Sequence, residues 1–313
     1  MNKVHIDIKR VEFVITRSCT SRCKHCSVNL ESGRGVGINA DAAAKALVQL
    51  SGRYSIESIM TFGGEPLIYG DAVCAIHVAA REAGIPVRTL ITNGFFSQDK
   101  QQIEDMAAAL TDSGVNDIYL SVDAFHQEYV PVEPVLHFAK ALFSLAEKGA
   151  LRLRVHPAWL VNKAHQNPYN DETKRLLEIF CNIGIEESSG NNIFPAGNAN
   201  KYLSEYFPDN DVLDLTVPCG HMPYTSRPDA VECVSISPNG DLETCFAIGN
   251  IYEENALSIL DKYDPYSNPA TRVLLEKGVE KLLEYARGIG MDIDVSDCCT
   301  ACDVCRKVMG RLR

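Results

Sequence analysis

No apolar run in the chain reaches the roughly 18 residues a membrane-spanning helix needs. A basic start followed by a continuous apolar stretch is also missing. Residues 1–13 alternate like a strand, so a secretory signal is not expected there. Low-complexity tracts and fixed-period repeats are absent, which argues against solenoids and biased linkers. Basic residues are in deficit: 30 Lys and Arg stand against 41 Asp and Glu, for a net charge of −11. Nucleic-acid binding runs on clustered Lys and Arg, so that function is not expected. The basic end of the chain, Arg306, Lys307, Arg311 and Arg313, reads as a solvated terminus. No membrane partner is expected, and the expected compartment is the cytoplasm.

What the chain has in excess is cysteine, 12 in 313 residues. Apolar residues at 46% and charged residues at 23% are ordinary for a globular protein. The length suits one large α/β domain with an appendage. Without secretion, structural disulfides are rare, and clustered thiols point to metal binding or catalysis. Three cysteines sit at 19, 23 and 26, and seven lie at 219, 233, 245, 298, 299, 302 and 305. Cys74 and Cys181 fall in helix-like segments and read as core thiols.

Along the first two-thirds, strand and helix patterns alternate. Strands are expected at 11–16, 55–62, 86–94, 116–123, 151–161 and 185–194. Helices are expected from about Asn39 and at 71–84, 100–114, 133–149 and 171–184. Six such units imply a parallel sheet with right-handed crossovers, able to curl into a partial (β/α)6 TIM-like barrel. Functional groups on such a sheet belong just after each strand. The alternation breaks near 198–218. A hairpin follows, with Pro238-Asn239-Gly240 at its turn, and then a helical stretch and a cysteine-rich end. The expected division is a barrel over 1–212 and a small hairpin-plus-helix unit over 213–313.

Cys19, Cys23 and Cys26 form C-x3-C-x2-C directly after the first strand. Three thiolates on one loop suit three irons of a cubane cluster or three positions of one zinc. A zinc loop would need His25 or a remote residue as fourth ligand. Three ligands alone leave one iron open, which is what a catalytic cluster requires.

With that motif after the first strand of a six-unit sheet, the chain resembles the radical SAM superfamily. The resemblance implies that S-adenosylmethionine chelates the open iron of a [4Fe-4S] cluster. Reductive cleavage then yields a 5′-deoxyadenosyl radical that abstracts substrate hydrogen. It also implies an electron donor such as flavodoxin or ferredoxin. Gly63-Gly64-Glu65-Pro66 after the second strand looks like the family's GGE segment, which holds the methionine amino group. Thr92 and Asn93 follow the third strand, and Ser121 and Asp123 end the fourth. Their side chains are expected near the ribose or carboxylate. Pro195 to Ala199 is similar to the P-x-G-x-A segment of many members. His25 stands where the family usually has an aromatic residue and is expected beside the cluster and adenine, or as a loop histidine. His126 is expected to orient Asp123 or touch substrate, the alternatives being a helix cap or a solvent-facing ring.

Gly240-x4-Cys245, with Cys219 upstream and C-x2-C near the end, resembles the SPASM/twitch extension of peptide-modifying members. The resemblance implies at least one auxiliary [4Fe-4S] cluster, assigned to Cys219, Cys245, Cys302 and Cys305. Cys233 and Cys299 are alternative ligands, and zinc is an alternative metal. The full SPASM spacing is absent, and the gap from Cys219 to Gly240 is longer than usual. In similar peptide epimerases a cysteine quenches the substrate radical, which makes Cys233, Cys298 and Cys299 candidate hydrogen donors. The implied substrate is a ribosomally made precursor peptide, altered by epimerisation, a thioether or a crosslink. No separate N-terminal peptide-recognition module is expected, so a leader would bind the barrel mouth or the auxiliary unit. The alternatives are a small-molecule enzyme of cofactor or metabolite synthesis, an activator of a partner enzyme, and a non-enzymatic redox or electron-transfer protein.

Overall fold

The computed structural model describes residues 4–27, 35–146, 151–207, 213–221, 226–296, 298 and 300–312. Cys299 therefore lies outside the described residues. In chain order the first elements are β1 (His5–Val14), α1 (Ala40–Ser51), β2 (Ser58–Phe62), a 3-10 turn (Pro66–Tyr69), α2 (Gly70–Glu82), β3 (Val87–Thr92) and α3 (Lys100–Ser113). There follow β4 (Asp117–Leu120), α4 (Ala124–Gln127), α5 (Val132–Ala146), β5 (Arg152–Val155), β6 (Ala158–Trp159), α6 (Pro168–Cys181), β7 (Glu186–Glu187), β8 (Asn191–Asn192) and α7 (Asn198–Tyr202). The last third holds β9 (Ala230–Ile236), β10 (Asp241–Glu243), β11 (Ala247–Asn250), α8 (Ala256–Lys262), α9 (Pro269–Lys277), α10 (Val279–Gly288) and α11 (Ala301–Arg311).

Strands β1, β2, β3, β4, β5 and β7 lie side by side and parallel, as the alternation of patterns predicts. Ile8, Val11, Phe13 and Ile59 point to the helix-covered face and are wholly buried. Asn39 caps α1 by accepting from the Ala42 amide, and Asp99 caps α3 in the same way. Two of the expected strands are broken into two short pieces each. The fifth stops at Val155, because Pro157 has no N–H to continue the ladder. The sixth breaks around Gly190, at φ 71°. The remnants β6 and β8 pair with each other as a separate two-stranded sheet.

The C-terminal hairpin joins the main sheet. Strand β9 runs parallel to β1, and β10 and β11 extend it, giving the order β11-β10-β9-β1-β2-β3-β4-β5-β7. A β1 edge left bare would expose a row of unsatisfied backbone groups. Val231, Val234, Ile236 and Leu242 of the hairpin enter the same apolar core as the barrel strands. A clasp reinforces this. The Tyr252 hydroxyl accepts from the Asn39 amide and donates to the Pro238 carbonyl, tying the hairpin turn to the start of α1. Helices α9, α10 and α11 form a second apolar cluster around Leu282, Val304 and Val308.

One reading needs correction. Cys181 is exposed. It ends α6, whose buried face is Leu176, Leu177 and Phe180, and one further residue turns about 100° away from that face. Cys74 does pack against the main core. Arg306 and Arg311 of the basic end are exposed, in keeping with a solvated terminus. Lys307 donates to the Asp294 carbonyl at 3.0 Å, and Arg311 donates to that of Asp292, so both anchor α11 to the preceding loop. No described helix is long and apolar enough to cross a membrane.

Candidate active site

The first site is built where β1 ends. Cys19, Cys23 and Cys26 line one cavity of about 130 Å³ together with Gly63, Gly64, Asn93, Ser121, His25 and His126. The loop that carries the thiols is held from several sides. Backbone N–H groups of Gly64 and Glu65 donate to the carbonyls of Thr16 and Ser18 at 2.8 Å. This contact explains the two glycines. A Cβ on Gly63 would sit 2.5 Å from the Thr16 oxygen, and one on Gly64 2.0 Å from that of Ser18. The sequence suggested that the glycines let backbone approach a ligand; the immediate neighbour is the cysteine loop itself. From the far side, Asn198 donates through its amide N–H to Cys26 O and through Nδ2 to Cys23 O. The segment at 195–199 is thus a buttress of the loop.

Side-chain donors reach the sulfurs. Ser21 Oγ lies 3.0 Å from Cys23 Sγ and 3.5 Å from Cys19 Sγ, and Asn93 Nδ2 lies 3.7 Å from Cys19 Sγ. Burial pushes the thiols of Cys19 and Cys23 up. Ionised sulfurs therefore need such donors or a bound cation.

The acidic residues are more deeply committed than the sequence suggested. Glu65 is wholly buried. Its carboxylate accepts from the Leu67 amide, from Thr92 Oγ1 at 2.6 Å and from the Asn93 amide. Burial pushes its pKa up to about 7 despite those donors. It welds the end of β2 to the end of β3, and it uses the Thr92 hydroxyl in doing so. Asp123 is also wholly buried. It accepts from the amides of Phe125, His126 and Ala158, and from His126 Nδ1 at 2.8 Å. Burial opposes its ionisation, but the adjoining His126 outweighs this and holds the carboxyl well below the usual range. For His126 burial acts downward, and Asp123 outweighs it, so its pKa is raised. His126 is therefore held against Asp123. Ser121 lines both this cavity and a neighbouring one of about 230 Å³ that also holds His156, Asn191 and Phe194.

One polar group was missed in the sequence. Arg154 pairs with Asp117 and lies 4.1 Å over the Tyr119 ring, and its Nε is buried without a hydrogen-bond partner. Tyr119 meets His156 edge-on at 4.8 Å. The signal was present, since parallel strands buried on both faces read as continuous apolar runs. The Asp and Tyr of β4 and the two arginines of β5 break that rule.

The second site lies between β10, the loop before β9, and α11. Cys219, Cys245, Cys302 and Cys305 line one cavity of about 640 Å³ that reaches Phe62 and Gly63 at the end of β2. Phe62 and Gly63 thus form a wall common to both thiol-lined cavities. Burial pushes Cys305 up to about 12, with Cys219, Cys245 and Cys302 adding to the effect, and Cys219 up to about 11. Cys233 and Cys298 line neither cavity. Cys233 lies opposite Arg10 in the β1–β9 ladder, its thiol pushed up to about 12 by burial and then by Glu12. Cys298 is buried in the second apolar cluster.

SuiB of Streptococcus suis bound to its precursor peptide SuiA superposes with a TM-score of 0.58 at 17% identity, over 87% of this chain and 68% of SuiB. The enzyme anSMEcpe with bound AdoMet gives a TM-score of 0.52 at 11% identity, over 93% of this chain and 87% of that one. At such identities the likeness is one of fold. A probable GTP 3′,8-cyclase of Methanocaldococcus jannaschii is 25% identical over 122 residues, and the match spans 39% of each chain. Residues 13–198 match the radical SAM superfamily. That match covers more than half of the sequence and takes in the whole three-thiol loop, so the chain belongs to the radical SAM superfamily and is an enzyme of the kind that works with a [4Fe-4S] cluster and S-adenosylmethionine.

Proposed function

We propose that this enzyme modifies a ribosomally made peptide, with Cys19, Cys23 and Cys26 holding the catalytic cluster and Cys219, Cys245, Cys302 and Cys305 an auxiliary one. The observation that carries the reading is the convergence of those four thiols, from three separate segments, on one cavity that extends to Gly63. The donor sets fit clusters. Among the described residues, only Cys23, His25 and His126 bring three ligand atoms within 4.8 Å of one another. The four C-terminal thiols are therefore spread more widely than the tetrahedron around a single zinc, whose sulfurs lie about 2.3 Å from the metal. At the N-terminal cavity no fourth cysteine is present among the described lining residues. When bound, the cluster and S-adenosylmethionine supply one-electron reductive cleavage and a carbon radical.

The chain's own residues then have distinct tasks. Ser21 and Asn93 offer hydrogen bonds to the ligating sulfurs. Gly63 and Gly64, which also line the thiol cavity, would hold the methionine moiety through their backbone, and Ser121 would offer a hydroxyl. Glu65, Thr92 and Asp123 hold these elements in register through the bonds described above. Arg154, Tyr119 and His156 give the adjoining sheet face polar groups for a polar ligand. Phe62 and Gly63 line both cavities, so the two proposed clusters would lie on either side of them. The structure of SuiB with its precursor peptide supports a peptide substrate, because this fold accommodates one there. The partial match to a probable GTP 3′,8-cyclase favours a second reading, a small-molecule substrate.

Anaerobic reduction with dithionite in the presence of S-adenosylmethionine is expected to release 5′-deoxyadenosine. Replacing Cys19, Cys23 and Cys26 with Ala is expected to abolish release and to leave about four of about eight irons bound, from cubane stoichiometry. Retained release in that variant would reject the N-terminal assignment. Mass spectrometry of a neighbouring small encoded peptide after co-expression decides the substrate: an unmodified peptide would favour the small-molecule reading.

A further inference from the structure

Two histidines, His25 and His126, lie beside Cys23. Ligand atoms of Cys23, His25 and His126 lie within 4.8 Å of one another. The His25 ring meets the His126 ring edge-on at 4.8 Å and Phe125 at 5.1 Å. The position of His126 is fixed, because its Nδ1 lies 2.8 Å from Asp123 Oδ2 and Asp123 is itself pinned by three backbone amides. A His126 that gives Nδ1–H to a carboxylate has Nε2 as its remaining polar atom. His25 Nδ1 is buried and has no hydrogen-bond partner. A buried imidazole nitrogen aimed at no protein acceptor needs an explanation, since nearly all such groups are satisfied. Both rings line the cavity that the three thiols share.

We infer that His25, held in place by the Asp123–His126 pair, is a hydrogen-bond donor to the sulfur atoms around Cys23 and thereby sets the reduction potential of the catalytic cluster. The inference rests on the cluster assignment above. A donor to cluster sulfur stabilises the reduced, more negative state, and potentials of such clusters follow hydrogen bonding to sulfur. His25 is a positioning and tuning residue on this account, and Asp123 acts through His126. An aromatic hydrocarbon ring in place of His25 would fill the same space against Phe125 without an N–H.

The test is a potentiometric titration followed by electron paramagnetic resonance, on the full chain with its clusters reconstituted. The catalytic signal is the one that shifts when S-adenosylmethionine is added. His25→Phe keeps the ring and removes the donor. It is expected to make reduction harder by about tenfold in the equilibrium, which is about 59 mV for one electron. His25→Gln restores an amide N–H and is expected to return most of that change. A His25→Phe protein with full iron and a wild-type potential would overturn the inference. Should His25→Phe fail to bind iron, the wild type still decides. Pulsed resonance on protein labelled with nitrogen-15 histidine is expected to show nitrogen coupling in the catalytic signal, and the absence of coupling would overturn the proposal. A wild type with no signal responsive to S-adenosylmethionine would instead reject the cluster assignment, and the inference with it.

Discussion

Glu65 accepts from three donors, two at the end of β3 and one in the 3-10 turn after β2. Glu65→Gln keeps the shape but turns one oxygen into an NH2. The one remaining oxygen cannot accept both from the Asn93 amide and from the Leu67–Thr92 side, so a buried donor is left facing a donor. The expected cost is about 1–3 kcal/mol of stability, the usual scale for an unsatisfied buried group. Denaturant titration is expected to show a lowered midpoint with the slope unchanged, and a wild-type midpoint would rule out this role. The sequence singled out Glu65 through its motif. It did not reveal that the carboxylate turns inward to bind Thr92, a residue 27 positions away. Asp123 repeats the pattern: its place after β4 was legible, but its commitment to Ala158 was not.

Elements show a similar division. Alternating patterns placed the parallel strands and their helices, because each depends on periodicity within a few residues. The same patterns ran through Pro157, where the fifth strand breaks. His77 on α2 illustrates what strand–helix packing adds. It is wholly buried, with Nε2 2.9 Å from Thr61 Oγ1 of β2, and burial lowers its pKa to about 3. The folded protein therefore keeps it neutral, whereas the unfolded chain takes up a proton below about pH 6.5. Stability from this source is full above that pH and is lost as pH falls from about 6.5 toward 3. Between pH 7 and pH 5, wild type is expected to lose about 2 kcal/mol more than a His77→Leu variant, from one proton over that range. Denaturant midpoints of the two proteins at both pH values check this, and parallel losses would remove His77 from the account.

At the scale of the molecule, the hairpin makes the C-terminal third part of the sheet architecture. Pairing of β9 with β1 sets Cys245, just past β10, close to the end of β2. Helix α11 brings Cys302 and Cys305 to the same cavity. Replacing Cys302 and Cys305 together with Ala is expected to reduce bound iron from about eight to about four per chain, on cubane stoichiometry. Release of 5′-deoxyadenosine is expected to continue, because the N-terminal loop is untouched, while modified product is lost. Iron analysis and product assay on one preparation check both parts. Unchanged iron would exclude these two thiols as ligands.

The sequence by itself determined the three-thiol loop. Three cysteines within eight residues stay close whatever surrounds them, and the strand before them fixes where the loop begins. It also determined the parallel alternation of elements, which local periodicity encodes. The resemblance named Cys219, Cys245, Cys302 and Cys305, with Cys233 as an alternative, but only the tertiary structure decided that those four line one cavity and that Cys233 lies off it. Cys298 and Cys302 are close in sequence, yet one is buried in an apolar cluster and the other faces the shared cavity. Their separation follows from the start of α11 after Thr300 and from the packing of that helix on α10. Spacing along a chain carries no record of such contacts, because they depend on surfaces contributed by residues far away in sequence.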